Sequence, residues 1–377
     1  MSTDRTVSRL AAILAIPVFV FAACSSGGAT AAPSAGGGDA GGLDALIAAA
    51  KAEGGLTTIA LPRSWCNYGE VIDGFTAKYG IPINGLNPDG GSGDEIEAIK
   101  ANKDNKGPQA PDVIDVGLSF GPSSKTDGLL APYKVSTWDS IPDSAKDADG
   151  SWYGDYYGVL AFEVNTAVVK NVPKDWADLL KPEYKNQVAL AGDPTVSNQA
   201  ISGVWASGFG SGGSLDNAQP GIDFFKQLND AGNFVPIIAK TATVASGETP
   251  IRIAWTYNAL ADRDSLAGNP AIEVVVPATG RFGGVYVQAI SAYAPHPNAA
   301  KLWMEYLYSD EGQLAWLKGY CNPIRYDDMV ARGVVPADLA AKLPDTKGTQ
   351  LPSLDQITKA SDLITKGWAT AVGVTVQ

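Results

Sequence analysis

Residues 284–323 read GVYVQAISAYAPHPNAAKLWMEYLYSDEGQLAWLKGYCNP. The run opens with Val285, Val287 and Ala289 alternating against Tyr286, Gln288 and Ile290, the two-residue period of a strand. Pro295-His296-Pro297 makes a turn. Ala299, Leu302, Trp303, Tyr306 and Leu307 then recur at helical spacing, with Asn298 placed to act as the N-cap. Ser309-Asp310 restarts a helix that runs toward Gly319. Taken alone, the stretch is strand–turn–helix–helix.

The same alternation fills the chain before it. Residues 43–53 form a helix by composition, stopped at Gly54-Gly55. Strand 56–61 (LTTIAL) leads through the loop 62–67 (PRSWCN) into helix 68–79. Strand 81–86, loop 87–93 (NPDGGSG) and helix 94–101 repeat the pattern, and strand 113–117 precedes Leu118-Ser119-Phe120-Gly121. Units of this kind build an open α/β sheet, in which ligands collect at the carboxyl ends of strands. Trp65, Asn67, Ser92 and Ser119 are ligand-binding candidates on that ground. The Gly90-Gly91-Ser92-Gly93 loop lacks the lysine of a phosphate-binding GxxxxGK[ST] motif, so turn chemistry is preferred for it. Residues 147–157 (DADGSWYGDYY) read as a glycine-broken aromatic loop that either lines a cleft or packs, followed by strand 159–165.

Further along, Ser197-Asn198 starts a helix, where capping and ligand contact both remain open. Residues 221–231 form an amphipathic helix and 234–238 a strand. Strand 251–255 (IRIAW) empties into Thr256-Tyr257-Asn258, so Trp255 and Tyr257 sit at a strand end; a cleft tryptophan offers a flat face for an alkyl chain, a ring or a cation. Core packing is the alternative for Trp255. Residues 351–377 are helix-like and are expected to pack on the first lobe.

Several of these words, read together, resemble a known family. The strand leading into PHPNAAKLWMEYLYSDEGQ is similar to the return crossover of extracellular solute-binding proteins that serve ABC importers. Trp176–Leu180, Lys181-Pro182-Glu183-Tyr184, Val188-Ala189-Leu190 and Asp193-Pro194 resemble another of its signatures, and Asn165-Thr166 ends a family-like hinge strand. The resemblance spans residues 43–329. It implies an α/β, two-lobed periplasmic-binding-protein fold of type II, each lobe an open sheet flanked by helices, joined by a two-strand hinge. Lobe 1 would be residues 43–161 and 291–377, lobe 2 residues 162–290. It also implies a binding site drawn from both lobes, to which Ser197, Trp255, Tyr257 and Tyr286 contribute from the second lobe and its hinge strand. Polyamine-binding members present an aromatic residue and, two residues on, an acid; here those places hold Tyr286 and Gln288, which cannot neutralise an ammonium. Asp193 and Asp262 are substitutes for that acid. The lean is an organic cation or amine such as a polyamine, with iron(III), thiamine and aminoethylphosphonate-type binding, or a ligand-sensing receptor subunit, as alternatives.

At the other end, Arg5 and Arg9 precede the apolar run 10–23, and Phe21-Ala22-Ala23-Cys24 resembles a bacterial lipobox. Residues 1–23 are then a lipoprotein signal peptide, Cys24 the lipidation site, and residues 24–42, nearly all small, a flexible tether. This places the protein on the outer face of the cytoplasmic membrane. Setting Cys24 aside, Cys66 and Cys321 remain as a pair in an oxidising compartment, and a disulfide is expected; two buried thiols are the alternative.

Removing Arg5, Arg9 and Asp4 leaves 26 basic against 39 acidic residues, a net −13, with no nucleic-acid surface. The chain has one histidine, and Gly208-Phe209-Gly210-Ser211-Gly212 sets its serine one place off the nucleophile elbow, so an enzyme is not expected. No cofactor and no metal are called for. The partners expected are a small-molecule solute, the transmembrane subunits of an ABC permease and the membrane through the lipid anchor, with the protein a monomer.

Overall fold

A computed structural model describes residues 40–345 and 347–377. The signal peptide, Cys24 and nearly all of the tether lie outside the described residues. In chain order the elements are α1 (Ala40–Glu53), β1 (Leu56–Ile59), α2 (Tyr68–Tyr79), β2 (Ile83–Leu86), α3 (Ser92–Ala101), β3 (Val113–Gly117), α4 (Phe120–Thr126) and β4 (Leu130–Ala131). There follow β5 (Tyr153–Asn165), β6 (Val188–Leu190), α5 (Asn198–Gly210), α6 (Gln219–Asp230), α7 (Thr241–Ser246), β7 (Ile251–Trp255), α8 (Thr256–Leu266) and β8 (Ile272–Val275). The last are β9 (Gly283–Ser291), α9 (Pro297–Leu307), α10 (Asp310–Lys318), β10 (Asn322–Pro323), α11 (Tyr326–Ala331), α12 (Ala337–Ala340) and α13 (Leu354–Val372).

Two long strands hold the molecule together. β5 pairs antiparallel with β9 from Tyr153 to Val159, then changes partners and pairs with β7 and β8 from Leu160 onward. β9 in turn pairs with β3 on its other edge, giving the order β3-β9-β5-β7-β6. One half of the curled sheet therefore carries β3, β4 and β10, the other β6, β7 and β8, and among the described residues only β5 and β9 run between them. β1 and β2 form a parallel pair beside β3, tied to it by Asp112 N–H donating to the Thr57 carbonyl at 2.9 Å. Helices cover both halves. Phe75, Trp303 and Tyr306 fill the core between α2 and α9, and Trp176, Trp205, Phe224, Phe225 and Trp368 the core around α5, α6 and α13.

Several sequence expectations are corrected. Of the aromatic loop expected over 147–157, residues 153–157 are the start of β5. Glycine is needed inside this strand because neighbours press on it: a Cβ at Gly158 would lie 2.4 Å from the Tyr257 ring. Trp152, Tyr153 and Tyr156 are buried. The expected strand 234–238 reduces to one bridge, Val188 with Phe234, since Pro236 interrupts the run. The first strand stops at Ile59, because Ala60 takes a left-handed φ of 55°. Helix α9 begins at Pro297, so Asn298 is not its N-cap. The capping acceptor comes from far away: the Glu53 carboxylate takes the Asn298 and Ala299 N–H groups at 2.9 and 2.8 Å. Finally, α13 packs mainly on α6 and α5, and only its start, at Leu354 and Ile357, reaches the core of the first lobe. Trp368 meets Phe225 and Phe234, and the Ile238 N–H donates to the Gln377 carbonyl at 2.8 Å.

The disulfide is present. Cys66 and Cys321 bond across 255 residues with Cα atoms 5.5 Å apart, fastening the turn before α2 to the end of α10.

Candidate functional site

A cavity of about 420 Å³ opens between the two halves. One wall comes from the loops after β1 and β2 and the end of β3. The other comes from the loop between β6 and α5, the start of α7, and α8; Tyr286 of β9 stands at the base. The N-terminal ends of α3 and α5 both open onto this space, carrying Ser92 and Ser197-Asn198. Helix N-termini present unpaired N–H groups and the positive end of the helix dipole.

The walls meet closely. A Cβ on Gly91 would lie 3.4 Å from the Val196 carbonyl, and one on Gly117 only 2.1 Å from the Asn198 amide. Asn198 thus reaches from the second wall to the end of β3. At the mouth, Lys240 Nζ pairs with Asp89 at 3.0 Å between exposed side chains. Inside, Arg252 is held through Nε and Nη2 by Glu163 and Asp262. Burial pushes the Glu163 carboxyl up to about 7, against the lowering effect of Arg252.

The floor is acidic. Asp115 is 5% exposed, and its Oδ2 accepts from the Tyr68 and Tyr156 hydroxyls at 2.8 and 2.6 Å. Glu95 is 2% exposed and accepts the Asp115 N–H at 3.0 Å. Behind them, Asp155 accepts from Gln288 at 3.0 Å, and Gln288 also donates to the Tyr68 hydroxyl at 2.8 Å. Burial raises the Asp115 carboxyl to about 6. Glu95 and Asp155 stand well above the usual carboxylate range, through burial first and repulsion from Asp115 second.

Of the eight candidates from sequence, the structure brings four together around the cavity: Trp65, Ser92, Ser197 and Tyr286. Ser92 Oγ accepts the Gly117 N–H at 3.1 Å, and Ser197 Oγ caps α5 by accepting the Ala200 N–H at 3.4 Å. Trp65 donates to the Tyr156 hydroxyl at 2.6 Å and meets Tyr286 edge-on. The other four lie elsewhere. Trp255 and Tyr257 are buried behind Trp65 and Tyr286, because β9 closes over the end of β7. Asn67 is turned outward to Glu70 and the Ala315 carbonyl by its left-handed backbone, φ 61°. Ser119 sits at the start of α4, outside the cavity lining.

Sequence reasoning missed Glu95, Asp115 and Arg252, and took Asp262 for a free acid. The available signal was an ionisable residue inside an apolar strand, VIDVG and IRIAW, where a buried charge requires a partner.

The family profile described as bacterial extracellular solute-binding protein matches residues 109–359. A periplasmic protein of Salmonella typhimurium named for 2-aminoethylphosphonate binding is 27% identical over 290 residues, covering 73% of this chain and 77% of that one. Among solved structures, the periplasmic binding protein AfuA from Actinobacillus pleuropneumoniae, with fructose-6-phosphate bound, superposes with a TM-score of 0.66 at 23% identity, covering 85% of this chain and 98% of that one. Iron-bound HitA from Pseudomonas aeruginosa superposes at 0.64 with 19% identity over 85% of this chain and 99% of that one. The two-lobed type II architecture is common to them. With a family match over two-thirds of its length and a cavity between two sheet halves joined by two strands, the chain belongs to the bacterial extracellular solute-binding proteins.

Proposed function

We propose that this protein is the solute receptor of an ABC importer and that it captures a small solute bearing a phosphonate or phosphate group. The observation that carries this reading is the pair of helix N-termini, of α3 and α5, facing one cavity from opposite walls. Two such ends converge unpaired N–H groups on an anion. The name of the Salmonella relative points to the same chemistry.

The organic-cation lean of the sequence gives way on this account. A polyamine would put positive charge against two positive helix ends. The acids proposed to receive it are occupied, Asp262 by Arg252 and Asp193 by the Thr195 N–H. Ferric binding is disfavoured as well, because the Tyr156 hydroxyl is spent on Asp115 and Trp65, and Tyr257 is buried behind the cavity.

The receptor would be anchored through Cys24 after removal of residues 1–23, with residues 24–42 as the tether, and would act as a monomer that hands its solute to the permease. Lobe 1 would comprise residues 43–161 with α9 and α10, and lobe 2 residues 162–290 with α13 added, since that helix packs there. Closing on the solute is the expected work of the protein, without bond chemistry.

A thermal-shift and calorimetric panel of ethylphosphonate, 2-aminoethylphosphonate, phosphate, fructose-6-phosphate, putrescine and ferric citrate tests the reading. A solute at one hundred times its Kd stabilises by about 2.7 kcal/mol. The expected result is a shift with a phosphonate or phosphate ester and none with putrescine. A shift with putrescine alone would overturn it.

A further inference from the structure

One buried cation on the second wall is only partly paired. Arg252, the second residue of β7, stands in register between Glu163 on β5 and Ala189 on β6, so its side chain shares a face of the sheet with the Glu163 carboxyl. Arg252 is 6% exposed. A guanidinium carries five N–H donors in a rigid fork. Three face protein acids: Nε donates to Glu163 Oε2 at 2.7 Å, and Nη2 lies 2.5 Å from the same oxygen while donating to Asp262 Oδ2. Asp262 is fixed in turn, since its Oδ1 accepts from the Thr241 hydroxyl at 2.8 Å. The two donors on Nη1 meet no acceptor among the described residues, and Nη1 is not sealed in the interior. With the other edge turned to acids, Nη1 is the edge that meets the cavity, where Thr241 and Ala242 of α7 and Asn258 and Ala261 of α8 surround it. This stretch of wall is built from β7, α7 and α8, not from the start of α5.

Resting on the phosphonate reading, we propose that Arg252 Nη1 forms a second subsite that takes an uncharged oxygen, so that the solute is a phosphonate or phosphate whose carbon chain carries a carbonyl group. The surroundings of Arg252 select the class. Glu163 and Asp262 already flank the guanidinium, so a second anionic group on the solute would face two acids at close range and be repelled. An ammonium can only donate and has nothing to accept from Nη1. A carbonyl brings two lone pairs and no charge to two donors that have no acceptor of their own. The fork is also held in place beforehand by two carboxylates, one of them fixed by Thr241, so little ordering cost falls on binding. The phosphonate stays between α3 and α5, and the two groups of the solute are held by different elements.

The test is isothermal titration of the full protein with 2-oxopropylphosphonate and 3-oxobutylphosphonate, each against its alkyl counterpart, propylphosphonate or butylphosphonate. At least one ketone is expected to bind about tenfold or more tightly than its counterpart, the yield of a hydrogen bond from a charged donor. Arg252→Lys keeps a positive charge between Glu163 and Asp262 but removes the fork, and is expected to bring that ratio to within about twofold of one. Equal wild-type affinities within both pairs would overturn the carbonyl subsite and leave the anion reading intact. A folded Arg252→Lys protein that keeps the ratio would overturn it too; an equal loss for ketone and alkyl compounds would put Arg252 on the anion instead. Binding of none of the four compounds would overturn both readings. A crystal structure of the ketone complex needs no variant, so a misfolded substitution does not protect the proposal. The ketone oxygen is expected within hydrogen-bond distance of Arg252 Nη1, and an oxygen placed elsewhere overturns the assignment.

Discussion

Replacing both Cys66 and Cys321 with alanine should destabilise the protein and weaken solute binding, for separable reasons. The bond spans 255 residues, and the chain-entropy relation for a loop of that length gives about 5 kcal/mol at room temperature. Engineered and native bridges commonly deliver less, so a loss of about 3–5 kcal/mol is expected. The effect on binding follows from position. Trp65, which lines the cavity, immediately precedes two residues with left-handed backbone, Cys66 at φ 45° and Asn67 at φ 61°. Residues other than glycine seldom hold that conformation unless surroundings impose it. Here the disulfide does so, helped by Asn67 donating to the Ala315 carbonyl at 3.0 Å. Freed from the bridge, the turn relaxes and Trp65 leaves its place against Tyr156 and Tyr286. Urea denaturation followed by tryptophan fluorescence measures the first effect, and calorimetric titration of the folded variant the second. A stability loss under about 1 kcal/mol would refute the entropic part of the reasoning. Unchanged affinity in the folded double variant would refute the positioning of Trp65 by the bridge.

Three other substitutions probe the site. Trp255→Ala removes a ring that is 0% exposed and should cost about 3–5 kcal/mol in denaturant, acting through the core and not through contact with solute; solute affinity falling at unchanged stability would contradict this. Gly117→Ala places a Cβ against the Asn198 amide and should hold the walls apart, lowering affinity with a small change in stability, as titration and small-angle scattering would show. Asp115→Asn should change how stability depends on pH. The Asp115 carboxyl is raised from 3.8 to about 6 in the folded protein, so its contribution is fully present below the unfolded pKa and is lost as pH rises through the folded one. Relative to Asp115→Asn, the unliganded wild type should therefore lose about 2 kcal/mol between pH 4 and pH 7, read from paired urea titrations.

How far the sequence carried can be seen residue by residue. The strand–loop–helix rhythm marked most of the loops that reach the cavity, and with the resemblance it put Trp65, Ser92, Ser197 and Tyr286 on its lining. The same reasoning selected Asn67, Ser119, Trp255 and Tyr257, which lie outside that lining. A strand end does not reveal whether another strand lies over it, and β9 lies over Trp255 and Tyr257. Nor does a loop reveal its handedness, which turns Asn67 away. The amphipathic pattern of α13 announced an apolar face without saying what it would meet. Asp115 was missed for a related reason. Its partners, Tyr68 and Tyr156, are 47 and 41 residues distant, so the strand showed an oddity whose explanation lay in two other elements, α2 and β5.

That oddity bears on how the receptor would close. Asp115 belongs to β3, but the groups packed around it ride on the connecting strands: Tyr156 and Asp155 on β5, Tyr286 and Gln288 on β9. Among the described residues these are the only strands that run between the two halves of the sheet. An anion held between α3 and α5 would act on the two walls and, through them, on these strands. A solute shifts an open–closed equilibrium only by its differential affinity for the two forms. On this reading ethylphosphonate should compact the protein in small-angle scattering, and an unchanged profile at saturating ethylphosphonate would remove the two helix ends from closure.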